Sequence, residues 1–351
     1  HALLFNLHHI VSDDWSMGVL VNEFVRLHDA HASGEASALA PLRLHYRDYA
    51  AWQNARLAAD GMAEHRDYWR SRFSGELPVL DLSTDFPRPA VKTYHGRTRP
   101  FALTSELTQT LHELARREHA TLFMVLTAAV QTLLHRHTDQ RDIIVGSPIA
   151  GRNHPDLEDQ IGFYINTLPL RATIDPQAAF TTLLAQVRQT ATEAYEHQAY
   201  PFDRLVDDLA LARDVTRTPL FDVVVVMQNV DAYSLVLDGV TVKPFVDDFG
   251  GSKFDLQFNF EERDGELRGS IVFNTDLFAE ERVARLIAHL TTLLGSIVAH
   301  PARAVGQLEL LPGEERRRVL EEFQGAPGHW PRGRTLSSWF EAQAARTPNA
   351  T

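Results

Sequence analysis

A chain of 351 residues, 44% hydrophobic and 23% charged, has ample material for a packed core and is too apolar to be disordered. Its formal net charge of −12 argues against nucleic-acid binding. The absence of cysteine excludes disulfides, thiolate nucleophiles, zinc–thiolate sites and iron–sulfur clusters and fits a cytoplasmic protein, and no apolar run of about eighteen residues suggests a membrane span.

"ALLFNL" at 2–7 predicts a short buried strand. The chain opens inside this pattern, without Met, so its natural N-terminus is expected upstream. Residues 15–31 predict a helix, with Val19, Leu20, Phe24 and Leu27 on one face, Asp13 or Asp14 as N-cap and Ser33-Gly34 as the stop. Helices are also predicted over 45–58 and 62–73. Two prolines and a glycine break regular structure over 81–96, which reads as the crossing between two lobes.

From residue 97 a second lobe is expected. "TSELTQTLHELARREH" (104–119) is amphipathic with Thr104 or Ser105 as cap, and 121–137 is apolar almost all round, hence a buried helix. "DIIVGSPI" (142–149) predicts a core strand, 178–198 a helix and "DVVVVMQN" (222–229) a central strand. Phe254, Leu256, Phe258 and Phe260 alternate, and "ELRGSIVFN" (266–274) can pair with that strand as a hairpin around Asp264-Gly265. A helix follows over 279–298. Strand pairs mixed with long helices predict an α+β fold rather than a doubly wound parallel sheet. Beyond Pro301 the chain turns charged and then rich in Gly and Pro, as a linker with one short helix does, and "TLSSWFEAQAARTPNAT" reads as the start of another module. The expected division is 1–96, 97–310, a linker at 311–333 and the new module at 334–351.

The candidate site is "FNLHHIVSDDWSMG" (5–18), a strand-to-helix turn carrying two histidines and two aspartates. Neighbouring residues on a strand point to opposite faces, and no HExxH accompanies the pair, so a metal site is not expected. GxSxG, GxxxxGK[ST] and GxGxxG are all absent, which removes support for a serine nucleophile or a nucleotide. One histidine facing a cleft can accept a proton, and a carboxylate across the turn can orient the ring or anchor the loop. The plain alternative is a capping aspartate beside a satisfied core histidine. Trp52, Trp69 and the Phe254–Phe260 stripe read as core, Arg316–Arg318 as a solvated helix face, and His197 as a hydrogen-bonded structural residue.

"HHIVSDDWS" resembles the HHxxxDG signature of condensation domains from nonribosomal peptide synthetases. Further segments match in the family's order: "HYRDYAAWQ" (45–53), "DYWRSRFSGELPVLDLSTDFPRPAVKTYHG" (67–96), "IGFYINTLPLR" (161–171), "HQAYPFDRLV" (197–206), "RDVTRTPLFDVVVVMQN" (213–229) and "GELRGSIVFNTDLF" (265–278). The tail "LSSWFEAQAARTPNA" resembles the opening of an adenylation domain.

The resemblance implies two lobes like chloramphenicol acetyltransferase, forming a V around a tunnel, with the N-terminal lobe incomplete. It implies that a donor aminoacyl or peptidyl thioester and an acceptor aminoacyl thioester, carried on the phosphopantetheine arms of upstream and downstream carrier domains, are joined by a peptide bond. The chain would bind no cofactor or metal itself. It would work beside an adenylation domain, away from nucleic acid and membrane.

His9 would carry the chemistry. His8, Asp13, Asp14 and Ser16 would support it, with His8 packed inward and Asp13 in a salt bridge whose arginine lies upstream. Trp15 and Asn166 would line the tunnel. An L-configured donor is suggested by "SGELPVLDLSTDFPRPAV". An epimerization domain and a non-catalytic docking domain share this fold; the adenylation-like tail speaks against the first and the intact histidine pair against the second. The motif glycine is Asp14 here. Glycine would permit a positive φ or close approach of the substrate arm, which aspartate tolerates better than most residues. An added carboxylate would also favour the charged form of His9 and crowd the tunnel.

Overall fold

The computed structural model describes residues 2–36, 39–212, 214–228, 235–237, 240–242, 250–263, 265–325, 333 and 335–349. Two compact units are present, His1–Leu310 and Leu311–Thr351.

The first unit is built on a six-stranded mixed sheet of β1 (Gly96–Ala102), β2 (Asp142–Ile149), β3 (Asn166–Thr173), β4 (Val223–Gln228), β5 (Leu256–Arg263) and β6 (Glu266–Asn274). The order is β1-β6-β5-β4-β2-β3, with β4 parallel to β2 and β5 and the remaining pairs antiparallel. The β-branched run of β4 thus lies inside the sheet, as predicted, although Asn229 is outside the described residues. Arg263 pairs with Glu266, so β5 and β6 form the expected hairpin; Gly265 takes a left-handed φ of 76° there, and Asp264 is outside the described residues.

Helices α1 (Asp14–Ser33), α2 (Tyr46–Ala58) and α3 (Ala63–Arg72) precede the sheet. Next come α4 (Ser105–Arg117), α5 (Leu122–Thr138), α6 (Phe180–Glu196), α7 (Phe202–Asp208) and α8 (Glu280–Ala299). Thr104 and Thr121 cap α4 and α5 by accepting from the N–H groups of Leu107 and Met124. Every residue of α5 from Leu122 to Leu134 is buried except Phe123, as its near-continuous apolar sequence requires. By length and composition α8 is apolar enough to cross a bilayer, but Val283, Leu290, Leu293, Leu294 and Ile297 are fully buried in the same core as β6 and α5.

Residues 2–7 form no strand. A strand exists through its ladder partner, and no described strand runs beside this segment; Leu4 is 79% exposed. Trp69 belongs to the core, as do Phe258 and Phe260, whereas Trp52 is 50% exposed, which corrects its reading as core. His197 is hydrogen-bonded, as expected: its Nδ1 lies 3.0 Å from Nδ1 of His65 and its ring stacks on Tyr68. In the second unit α9 (Gly313–Arg317) runs on into a wider turn at Arg318–Glu322, and α10 (Leu336–Arg346) is capped by Thr335. Arg317 and Arg318 are exposed and paired with glutamates of their own helix.

Candidate functional site: a histidine turn beside an aromatic cavity

His9–Val11 form one 3₁₀ turn, and Asp13 then caps α1. The two histidines are held by different backbone groups. Nδ1 of His8 accepts from the N–H of Ile10 at 3.1 Å, so His8 carries its proton on Nε2. Nδ1 of His9 lies 2.7 Å from the carbonyl oxygen of Ser12, which can only accept, so Nδ1 carries a proton and the neutral form of the ring has its lone pair on Nε2. Neighbouring rings are thereby fixed in opposite tautomers. Both side chains are exposed; the expectation that His8 packs inward is overturned, because its ring is spent capping the 3₁₀ turn.

Asp13 is the buried anchor of the turn. Its Oδ1 accepts from Ser16 N–H (2.9 Å), Ser16 Oγ (2.7 Å) and Nη2 of Arg152 (3.0 Å), and its Oδ2 accepts from the N–H of Tyr164 (2.9 Å). Burial pushes this carboxyl up, but the Ser16 hydroxyl, the Tyr164 and Ser16 N–H groups and the Arg152 charge outweigh it and hold it below the usual carboxylate value. The arginine partner is therefore Arg152, downstream after β2, and not an upstream residue. Arg152 also donates to the carbonyls of Leu157 and Gln160, and its guanidinium lies 4.2 Å from the Tyr164 ring centroid. Burial drives the Tyr164 phenol up to about 12, against the opposing pull of Arg152.

Ser16 ties the same knot. Its Oγ lies 2.8 Å from the carbonyl of Gly162 and accepts from Gly162 N–H (3.0 Å) and Arg152 Nη2 (2.8 Å). Glycine is demanded at two places around it. Gly151 has φ 67°, and a Cβ there would stand 2.0 Å from the Tyr164 carbonyl oxygen; a Cβ on Gly162 would stand 2.5 Å from the Tyr46 ring.

Asp14 is the first residue of α1, helical and exposed; it is not among the described residues with positive φ. Glycine's conformational freedom is thus not used at this position, and a carboxylate in a first helical turn faces the positive end of the helix dipole.

A cavity of about 810 Å³ lies next to the turn. Tyr46, Tyr49 and Trp52 of α2, Phe163, Tyr164 and Asn166 contribute to its wall. Asn166 lines this cavity, and all of its amide is engaged: Nδ2 donates to the carbonyls of Gln198 (2.9 Å) and Tyr200 (2.8 Å), and Oδ1 accepts from Thr167 and Phe202 N–H. It therefore pins the loop before α7. Trp15 does not line the cavity; its Nε1 donates to the carbonyl of Glu158 at 2.8 Å. His9 reaches the cavity wall through Phe163, with ring centroids 5.2 Å apart and planes at 78°. Arg152 and Phe163 were missed in the sequence; a buried capping aspartate needing a cation was the signal for the first.

A family model described as "Condensation domain" matches residues 1–320. Tyrocidine synthase 3 of Brevibacillus parabrevis is 39% identical over 348 residues, covering 99% of this chain and 5% of that protein. Gramicidin S synthase 2 of Brevibacillus brevis is 36% identical over 349 residues, covering 99% of this chain and 8% of that protein. The chain thus spans less than a tenth of these two relatives. Among solved structures, the X-domain from teicoplanin biosynthesis superposes with a TM-score of 0.81 at 25% identity, covering 87% of this chain and 71% of that one.

Proposed function

The chain belongs to the condensation-domain family of nonribosomal peptide synthetases, and from that premise we propose that it joins a donor aminoacyl or peptidyl thioester to an acceptor aminoacyl thioester. Both substrates arrive on phosphopantetheine arms that belong to carrier domains, not to this chain.

The observation that carries the reading is the tautomer of His9. The acceptor nitrogen attacks the donor carbonyl; a C–N bond forms, the C–S bond breaks, and the attacking amine must lose one proton. Nε2 of His9 has a lone pair for that proton because Nδ1–H is committed to Ser12, and the proton passes on to the departing thiolate. His8 offers an N–H at the same ring position and has no lone pair to give. Asp13, Ser16 and Arg152 hold the turn and touch no reacting atom in this scheme. Residues 334–351, with α10, are read as the opening of an adenylation domain on the strength of their motif.

The test is single-turnover amide formation by the full synthetase module with loaded donor and acceptor carriers. His9→Ala should lower the rate about 10²–10⁴-fold, the usual worth of a positioned general base. Undiminished product formation by that variant would refute the assignment.

A further inference from the structure

We infer that Phe163 is a positioning residue for His9, fixing the plane of the imidazole whose tautomer Ser12 fixes. The inference rests on His9 being the residue that serves the transfer.

One hydrogen bond selects the protonated nitrogen of His9 but leaves the ring free to swing about that bond. His9 sits on an exposed 3₁₀ turn, so core packing supplies no second constraint. The contact that does is Phe163, edge-on at 5.2 Å and 78°. The backbone that carries Phe163 is itself held on both sides. Gly162 before it donates its N–H to Ser16 Oγ, its own carbonyl accepts from the Tyr46 hydroxyl at 3.1 Å, and Tyr164 after it donates its N–H to Asp13.

The contacts close a circuit: His9 to Ser12, the Asp13–Ser16 cap, the backbone of 162–164, and back through the Phe163 ring to His9. Stability does not account for an aromatic residue here, because Phe163 is 38% exposed and lies outside the buried core. Phe163 is also one of the residues that line the cavity.

The test uses the full synthetase module with loaded carriers, measuring kcat and the acceptor-carrier KM for Phe163→Ala, Phe163→Leu and Phe163→Tyr. Each variant is made in wild-type and His9→Ala backgrounds. Leucine keeps apolar bulk without a ring edge; tyrosine keeps the ring. Ala and Leu should lower kcat roughly tenfold, as a small misplacement of a reacting group does, with KM changed less than about twofold and Tyr close to wild type. In the His9→Ala background the Phe163 substitutions should cost nothing further. Wild-type kcat in Phe163→Leu, or an undiminished penalty without His9, would overturn the proposal while leaving the role of His9 intact. Wild-type kcat in His9→Ala alone would overturn both.

Discussion

Arg152 and Asp13, 139 positions apart in the chain, form a fully buried ion pair with Nη2 and Oδ1 3.0 Å apart. The pair binds the start of α1 to the segment after β2, so the turn carrying the histidines is fixed relative to the sheet. A buried pair of this kind is costly to form in isolation, but every oxygen of Asp13 is hydrogen-bonded, and breaking it leaves a charge stranded.

Removal of Arg152 should therefore do more than loosen a loop. Arg152→Ala is expected to lower unfolding free energy by about 3–5 kcal/mol in urea titrations, the cost of an uncompensated buried charge. Arg152→Lys should recover little of it, because one ammonium cannot reach the Leu157, Gln160, Asp13 and Ser16 oxygens that the planar fork serves together.

Asp13 also sets a pH dependence of known sign. Its folded carboxyl lies below the ordinary value of 3.8, so the native state holds the charged form more strongly than the unfolded chain does. The stability this contributes is fully present above that value and is lost as pH falls through the folded one. The difference in stability between wild type and Asp13→Asn should thus be constant near neutrality and shrink below about pH 4. A gap that widened on acidification would contradict the placement of this charge.

Asp14 stands in a helical first turn, so it is a helix-favouring residue and not a strained substitute for glycine. Asp14→Gly is expected to lower stability by about 1 kcal/mol, from lost backbone restriction and lost dipole interaction. Its transfer rate should stay within about twofold of wild type, since no backbone geometry at this position depends on glycine. Denaturation curves and single-turnover rates on the same preparation check both.

Helices were legible where one face is apolar and the ends carry their own caps: Asp13, Thr104 and Thr121 each accept from a first-turn N–H, as their side chains suggest. The buried β4 was legible as a β-branched run, and β2 through its apolar start at Ile143–Val145. The edge strands β1 and β3 were less so, because Pro100 and Pro169 interrupt their patterns. Residues 2–7 misled for the opposite reason: the apolar pattern is present, but among the described residues no strand lies beside it. At the site, Asp13 was legible as the cap of α1, because it accepts from the N–H of Ser16 three residues on. Arg152 was hidden by distance, Trp15 by the carbonyl that captures its indole, and the inward reading of His8 failed because its ring bonds locally instead of packing.

The division of labour between the two histidines rests on their opposite tautomers, and ¹⁵N NMR of histidine-labelled protein at neutral pH reads these directly. The expected spectrum has a protonated Nδ1 and a pyridine-like Nε2 for His9, and the reverse for His8, each assigned by its alanine variant. A His9 ring protonated at Nε2 alone would contradict the account, because the lone pair that serves the transfer would then point at the backbone.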